Sequence, residues 1–159
     1  DTLPAVALGM EPAEPDVMER QPRDKSVPFL ERHDWLSILT IGAAEALLAL
    51  AAFYIGGKGT TGTTMAFLTL SLSQLFAALG FQSERHSIFQ IKPSKHPVLW
   101  LSFLGSTLLQ LVVIFVPTLR ELFELTLLTG TQWWTVIGLC FAMLGFVELQ
   151  KLIARLQHN

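Results

Sequence analysis

Apolar positions in the chain gather into four long, nearly unbroken runs. They do not recur every third or fourth residue, as on a helix that faces water on one side. The runs are about Trp35–Tyr54, Met65–Phe81, Val98–Val116 and Trp133–Leu149. Each is near the roughly 20 residues that cross a bilayer as an α-helix. Strands are excluded because an open sheet leaves its edges unsatisfied in lipid, and the runs lack barrel-type alternation. The pattern predicts helices over about 35–55, 64–82, 97–116 and 132–154.

The connections predict how the runs pair. Gly56–Gly62 (GGKGTTG) is a short flexible turn, so the first two helices form a tight antiparallel hairpin. Residues 82–97 are polar and basic, Pro117 closes the third run, and residues 118–132 link the last pair. The fold class read from this is an all-α membrane protein. It is a four-helix transmembrane bundle of two antiparallel hairpins, preceded by a partial helix and a cytoplasmic loop. Nine of the eleven Lys and Arg residues fall on one side of the bilayer, and only Lys58 and Arg120 on the other. By the positive-inside rule the nine-residue side is cytoplasmic, with the 11–34 loop and the C-terminus on it. Trp35 and Trp100 near cytoplasmic ends, and Trp133 and Trp134 near an outer end, fit as interfacial anchors.

Composition excludes a soluble domain. Apolar residues make up 51%, charged residues 15%, and the mean hydropathy is +0.47. A net charge of −2 gives no support to nucleic-acid binding. The single Cys140, inside an apolar run, excludes an internal disulfide or a cysteine metal cluster and reads as a small buried residue. His33, His86, His96 and His158 fall at helix ends or in loops without metal-ligand spacing.

The first 34 residues differ. Residues 1–10 (DTLPAVALGM) are apolar but too short to span, and 11–34 are polar and proline-rich. They read as the last half of a membrane helix feeding a cytoplasmic loop, with Asp1 at membrane depth and Pro4 removing one helical hydrogen bond. A first residue of Asp rather than Met leads to the expectation that the chain starts inside a larger polypeptide.

The opening DTLPAVALGMEPAEPDVMERQPR resembles the end of the sixth membrane helix of type II P-type cation-transporting ATPases, together with the loop that follows it. Asp1, Pro4, Ala5, Ala7, Leu8, Gly9, Asp16, Met18, Arg20, Pro22 and Arg23 match that family's pattern in order. Thr64–Phe67 (TMAF), Ser83–Phe89 (SERHSIF), the proline-ended third run and Glu148 with Lys151 also fit. The resemblance covers essentially the whole chain and is calcium-pump-like. It implies that residues 1–10 end the sixth helix, 11–34 form a cytoplasmic loop, and 35–159 form the C-terminal transmembrane domain, helices seven to ten.

The resemblance also implies site residues. Asp1 aligns with an acidic cation ligand of the sixth helix, and a carboxylate at membrane depth is functional by default. Read without the resemblance, it is the exposed end of a chain. Gln74 lies near an eighth-helix position where some calcium pumps carry a glutamate ligand. Glutamine keeps a carbonyl oxygen but lacks the charge, which favours one high-affinity site; the alternative is an interhelical hydrogen bond. Asp1 and Gln74 are therefore the expected metal-binding residues, with no catalytic residue in this chain.

Glu45, isolated in the first run, must face the bundle or stay protonated. The matching family helix is not known to supply a ligand, so Glu45 reads as structural or, alternatively, as part of a proton path. Gln110 reads as a packing amide, and Glu148 with Lys151 as an i, i+3 ion pair. Gly42, Ala43, Ala46, Gly138, Ala142 and Gly145 are expected to permit close helix contacts. The 11–34 loop, acidic then basic, reads as an ordinary solvated loop by charge and as a coupling loop by resemblance.

The function implied is the membrane part of a pump that exports calcium or a similar divalent cation, with protons counter-transported. ATP and magnesium would act only in the parent protein, because no phosphorylation or nucleotide-binding motif is present here. The segment alone is expected to be inactive. Its expected partners are the lipid bilayer and the remaining helices and cytoplasmic domains of the pump. The alternatives are a sodium/potassium- or proton-type pump, or a non-catalytic membrane scaffold.

Overall fold

The computed structural model describes residues 2–10, 32–80 and 97–157. Among these residues the secondary structure is helical, without strands. α1 is Thr2–Gly9, α2 Arg32–Gly56, α3 Thr60–Gly80, α4 Pro97–Phe115, α5 Pro117–Leu122 and α6 Gly130–Gln157. Four of them are long and apolar enough to cross a membrane: α2, α3, α4 and α6. This is an all-α membrane bundle. The expected coupling loop and the basic 82–96 connection lie outside the described residues, as do the side chains of all four histidines.

The α2–α3 turn is built by glycine. Gly57 and Gly59 have φ of +80° and +141°, conformations that a β-carbon disfavours. The Gly57 N–H donates to the Tyr54 carbonyl at 3.2 Å, closing α2, and Thr63 N–H donates to the Gly59 carbonyl at 3.0 Å, opening α3. The helices then run antiparallel in close contact. A β-carbon on Gly56 would lie 2.8 Å from Gly62 Cα, and one on Gly62 would lie 2.7 Å from the Phe53 carbonyl oxygen.

Helix α3 is the centre of the bundle, packed by α2, α6, α4 and α1. More than half of its span is buried (56%), against 6% for α2 and 11% for α4. Its Met65, Leu68, Leu72 and Leu75 meet Ala52 of α2, Ile114 of α4, and Val136 and Cys140 of α6. A second cluster joins Ala7 of α1, Leu79 and Leu99, and a third joins Ala77 with Met143 and Val147. Lipid tails are as apolar as leucine, so such contacts act through close packing rather than by excluding water. The second pair of helices is splayed: α4 and α6 pack on α3 more than on each other, and meet where Phe115 stacks on Trp133.

The structure alters two expectations. The 118–132 link carries the short helix α5. Pro117 starts it because proline fits the first helical position and keeps Val116 extended, at ψ 117°. Helix α6 begins at Gly130, earlier than residue 132, where the Gln132 side chain reaches back to the backbone of Thr129. Thr129 N–H donates to Gln132 Oε1 at 2.8 Å.

The second difference concerns small residues. Gly42, Gly138 and Gly145 have nothing within 4 Å of an added β-carbon, and Ala43, Ala46 and Ala142 are exposed. Close approach is instead made at Gly56, Gly62 and Gly80. A small residue permits proximity only where the partner helix lies on its face, and these six face away.

Candidate functional site in the membrane interior

Glu45 lies ten residues after Trp35 and eleven before Gly56. At 1.5 Å per residue that is about 15 Å along α2, close to the middle of its span. An ionised carboxylate there is costly in lipid and must find polar partners or a cation. Glu45 faces the bundle, as expected. Ser73 Oγ of α3 donates to its Oε1 at 3.2 Å, and the side chain of Gln74 is a further hydrogen-bond partner. Ser73 is fully buried, and its one hydroxyl hydrogen is shared between Glu45 and the Leu70 carbonyl, 3.0 Å away.

The register of the hairpin explains the meeting. Eleven residues separate Glu45 from Gly56, and eleven separate Ser73 from Gly62. That is about three helical turns on each side, so the face that makes the glycine contact also carries Glu45 and Ser73. One turn from Ser73 on α3, the fully buried Thr69 hydroxyl has no hydrogen-bond partner among the described residues.

Gln74 and Glu45 open onto one cavity of about 250 Å³. Pro4, Ala5 and Leu8 of α1 form its other wall, and Ile41 of α2 with Leu75, Ala77 and Ala78 of α3 complete it. The walls are mainly apolar, so the polar groups that reach it are few and converge. Gln74 therefore lies beside the helix that follows Asp1; Asp1 itself lies outside the described residues. Ser73 was missed as an individual residue. Its signal was its position next to Gln74 in the hydroxyl-rich run SLSQ.

Among the described residues no three His, Cys, Asp or Glu side chains are grouped so as to hold a metal ion. Any cation held here by those residues must draw on one carboxylate and neutral oxygens, the mixture that hard cations such as calcium accept. Elsewhere, Lys151 Nζ pairs with Glu148 Oε1 at 3.2 Å, the expected i, i+3 ion pair. Gln110 Oε1 is buried without a hydrogen-bond partner among the described residues, so the packing amide expected there is not tied at its oxygen. Cys140 is fully buried, as its apolar surroundings implied.

Comparison with known proteins identifies the family of the chain. The family model described as cation transporting ATPase, C-terminus, matches residues 1–153. A calcium-transporting ATPase 1 of Bacillus cereus is 34% identical over 179 residues, covering 96% of this chain and 19% of the relative. A calcium-transporting ATPase of Bacillus subtilis is 36% identical over 144 residues, covering 87% and 16%. A calcium-transporting ATPase type 2C member 2 of Mus musculus is 34% identical over 157 residues, covering 96% and 17%. The chain spans less than a fifth of the length of these relatives.

Proposed function

The chain belongs to the cation-transporting ATPase C-terminal family, and on that premise we propose that it is the C-terminal membrane part of an ATP-driven pump for calcium or a similar divalent cation. The observation that carries this is the placement of Gln74. It sits at membrane depth, beside a carboxylate, on a cavity whose opposite wall is the helix that follows Asp1.

In this reading Asp1 supplies a charged oxygen and Gln74 a neutral one to the transported ion. A hard cation takes six to eight oxygens, so most of the shell comes from elsewhere in the parent protein. Phosphorylation, nucleotide binding and magnesium also belong to the rest of the pump, and the segment alone does not hydrolyse ATP. Its four long helices act mainly as an anchor, with α3 as the post. The 11–34 loop and the C-terminus lie in the cytoplasm, the side that carries most of the Lys and Arg residues.

The test is cation-dependent phosphorylation by ATP of the full-length protein, measured across calcium, manganese, magnesium, sodium and potassium. Calcium or manganese is expected to support phosphoenzyme at micromolar concentration. Asp1→Asn is expected to abolish that response, and Gln74→Ala to raise the half-saturating concentration several-fold. Stimulation by sodium or potassium alone would overturn the choice of ion. Unaltered affinity in Asp1→Asn would overturn its role as a ligand.

A further inference from the structure

We infer that Glu45 is itself a cation-binding residue, so that α2 contributes a carboxylate to the membrane cavity that Gln74 also lines. The inference rests on the reading of Gln74 as part of an ion site. It goes beyond it by assigning the charge to a helix from which no ligand was expected.

Three observations carry it. Glu45 lines the same cavity as Gln74, Pro4 and Ala5, so its carboxylate has access to whatever occupies that space. Its two identified partners, Ser73 and Gln74, are neutral and bear oxygens of their own. They orient the carboxylate and leave its charge without a compensating Lys, Arg or His among the described residues. Finally, Gln74 has no charge of its own to offer. A neutral amide on α3 next to a carboxylate on α2 leaves Glu45 as the acidic group of the cavity among the described residues.

The chemistry defines the class of ligand. The carboxylate and the amide on the cavity are hard oxygen donors and suit calcium or a cation of similar hardness, not a soft, thiolate-seeking metal. The hairpin holds them in place: the glycine contact near the turn fixes the register that brings Glu45 opposite Ser73. A bound cation also accounts for a mid-membrane carboxylate that lacks a basic partner among the described residues.

The experiment is equilibrium binding of radioactive calcium to the purified full-length protein in detergent, with thermal denaturation recorded without and with calcium. Glu45→Gln keeps the shape of the side chain and one acceptor oxygen for Ser73, and removes the charge. It is expected to weaken calcium binding at least about tenfold and to reduce the calcium-induced rise in melting temperature, while the calcium-free melting temperature stays as in the wild type. A second variant, Glu45→Ser with Ser73→Asp, presents the carboxylate from the other side of the same contact and is expected to recover much of the lost affinity.

Wild-type affinity in Glu45→Gln overturns the inference while leaving the pump reading intact. If Glu45→Gln does not fold, a folded swap variant without calcium binding overturns it as well. A wild-type protein that binds none of calcium, manganese or magnesium overturns the underlying reading of the ion site instead.

Discussion

Gly56 and Gly62 face each other at the top of the α2–α3 hairpin with no space for a β-carbon on either. One on Gly56 would lie 2.8 Å from Gly62 Cα, and one on Gly62 would lie 2.1 Å from the Gly57 carbonyl oxygen. The nearest obstructing atom on each side is backbone, so no rotamer change relieves the contact. Because the contact shares its helix faces with Glu45 and Ser73, three turns deeper, it sets the register of the polar site as well as the turn.

Gly62→Ala should therefore part the two helices. Overpacking a tight contact costs about 1–3 kcal/mol, occasionally more. A lower melting temperature in detergent is expected, together with weaker cation binding as Glu45 shifts against Ser73. Gly42→Ala is the control, because nothing lies within 4 Å of its added carbon. Equal melting temperatures for the two variants would show that the contact does not hold the hairpin.

At the other end of α3, Gly80 meets α6. An added β-carbon there would stand 2.8 Å from Val147 Cγ1. This obstacle is a side chain, so it can be removed. Gly80→Ala alone is expected to destabilise by about 1–3 kcal/mol. Val147→Ala, made with it, should return part of that loss, and a double-mutant cycle on melting temperatures would measure the coupling. Additive effects would mean that the pair does not interact.

How much of this was legible follows from which physics each feature obeys. Span length is set by bilayer thickness, so the four runs could be read directly, and an isolated mid-span glutamate had to turn inward or stay protonated. The central place of α3 was also written in the chain, but less plainly. Its mean hydropathy, 1.3, is the lowest of the four spans, where the others reach 1.8 to 2.1. A helix enclosed by others can keep Thr, Ser and Gln that a lipid-facing helix cannot. The small-residue positions misled because proximity depends on which helix lies across from them, and periodicity within one helix does not record that. The α6 start was missed although Thr129 and Gln132 have the capping-box spacing. The pairing of Glu45 with Ser73 needed the hairpin register, which only the glycine contacts reveal.

Helix α5 ends with a residue in an unfavourable conformation. Glu124 has φ of +53°, the left-handed region that glycine enters without penalty. The hydrogen bonds around it form a Schellman closure: Leu125 N–H donates to the Arg120 carbonyl at 2.8 Å, and Glu124 N–H to the Glu121 carbonyl at 3.1 Å. Left-handed geometry costs a non-glycine residue roughly 1–2 kcal/mol. Glycine also loses more backbone freedom on folding, which offsets about 0.5–1 kcal/mol of the gain. Glu124→Gly is therefore expected to stabilise the closure by up to about 1 kcal/mol. Slower amide exchange at Leu125 would report it, and faster exchange would contradict it.

The last prediction concerns sidedness. Lys58 stands exposed in the α2–α3 turn, and Arg155 lies in the last turns of α6, at the other end of the bundle. Nine Lys and Arg residues fall on the side of Arg155, and two on the side of Lys58. Translocating a basic segment is disfavoured, so the crowded side is expected to be cytoplasmic. Lys58→Cys and Arg155→Cys, each introduced into full-length protein without other reactive cysteines, give opposite expectations. A membrane-impermeant maleimide applied to sealed, cytoplasmic-side-in vesicles should label position 58 at once, and position 155 only after permeabilisation. Cys140 is buried, so the background from it should be low in folded protein. Labelling of position 155 in sealed vesicles, with position 58 protected, would invert the topology and place the polar loops on the wrong side for contact with cytoplasmic domains.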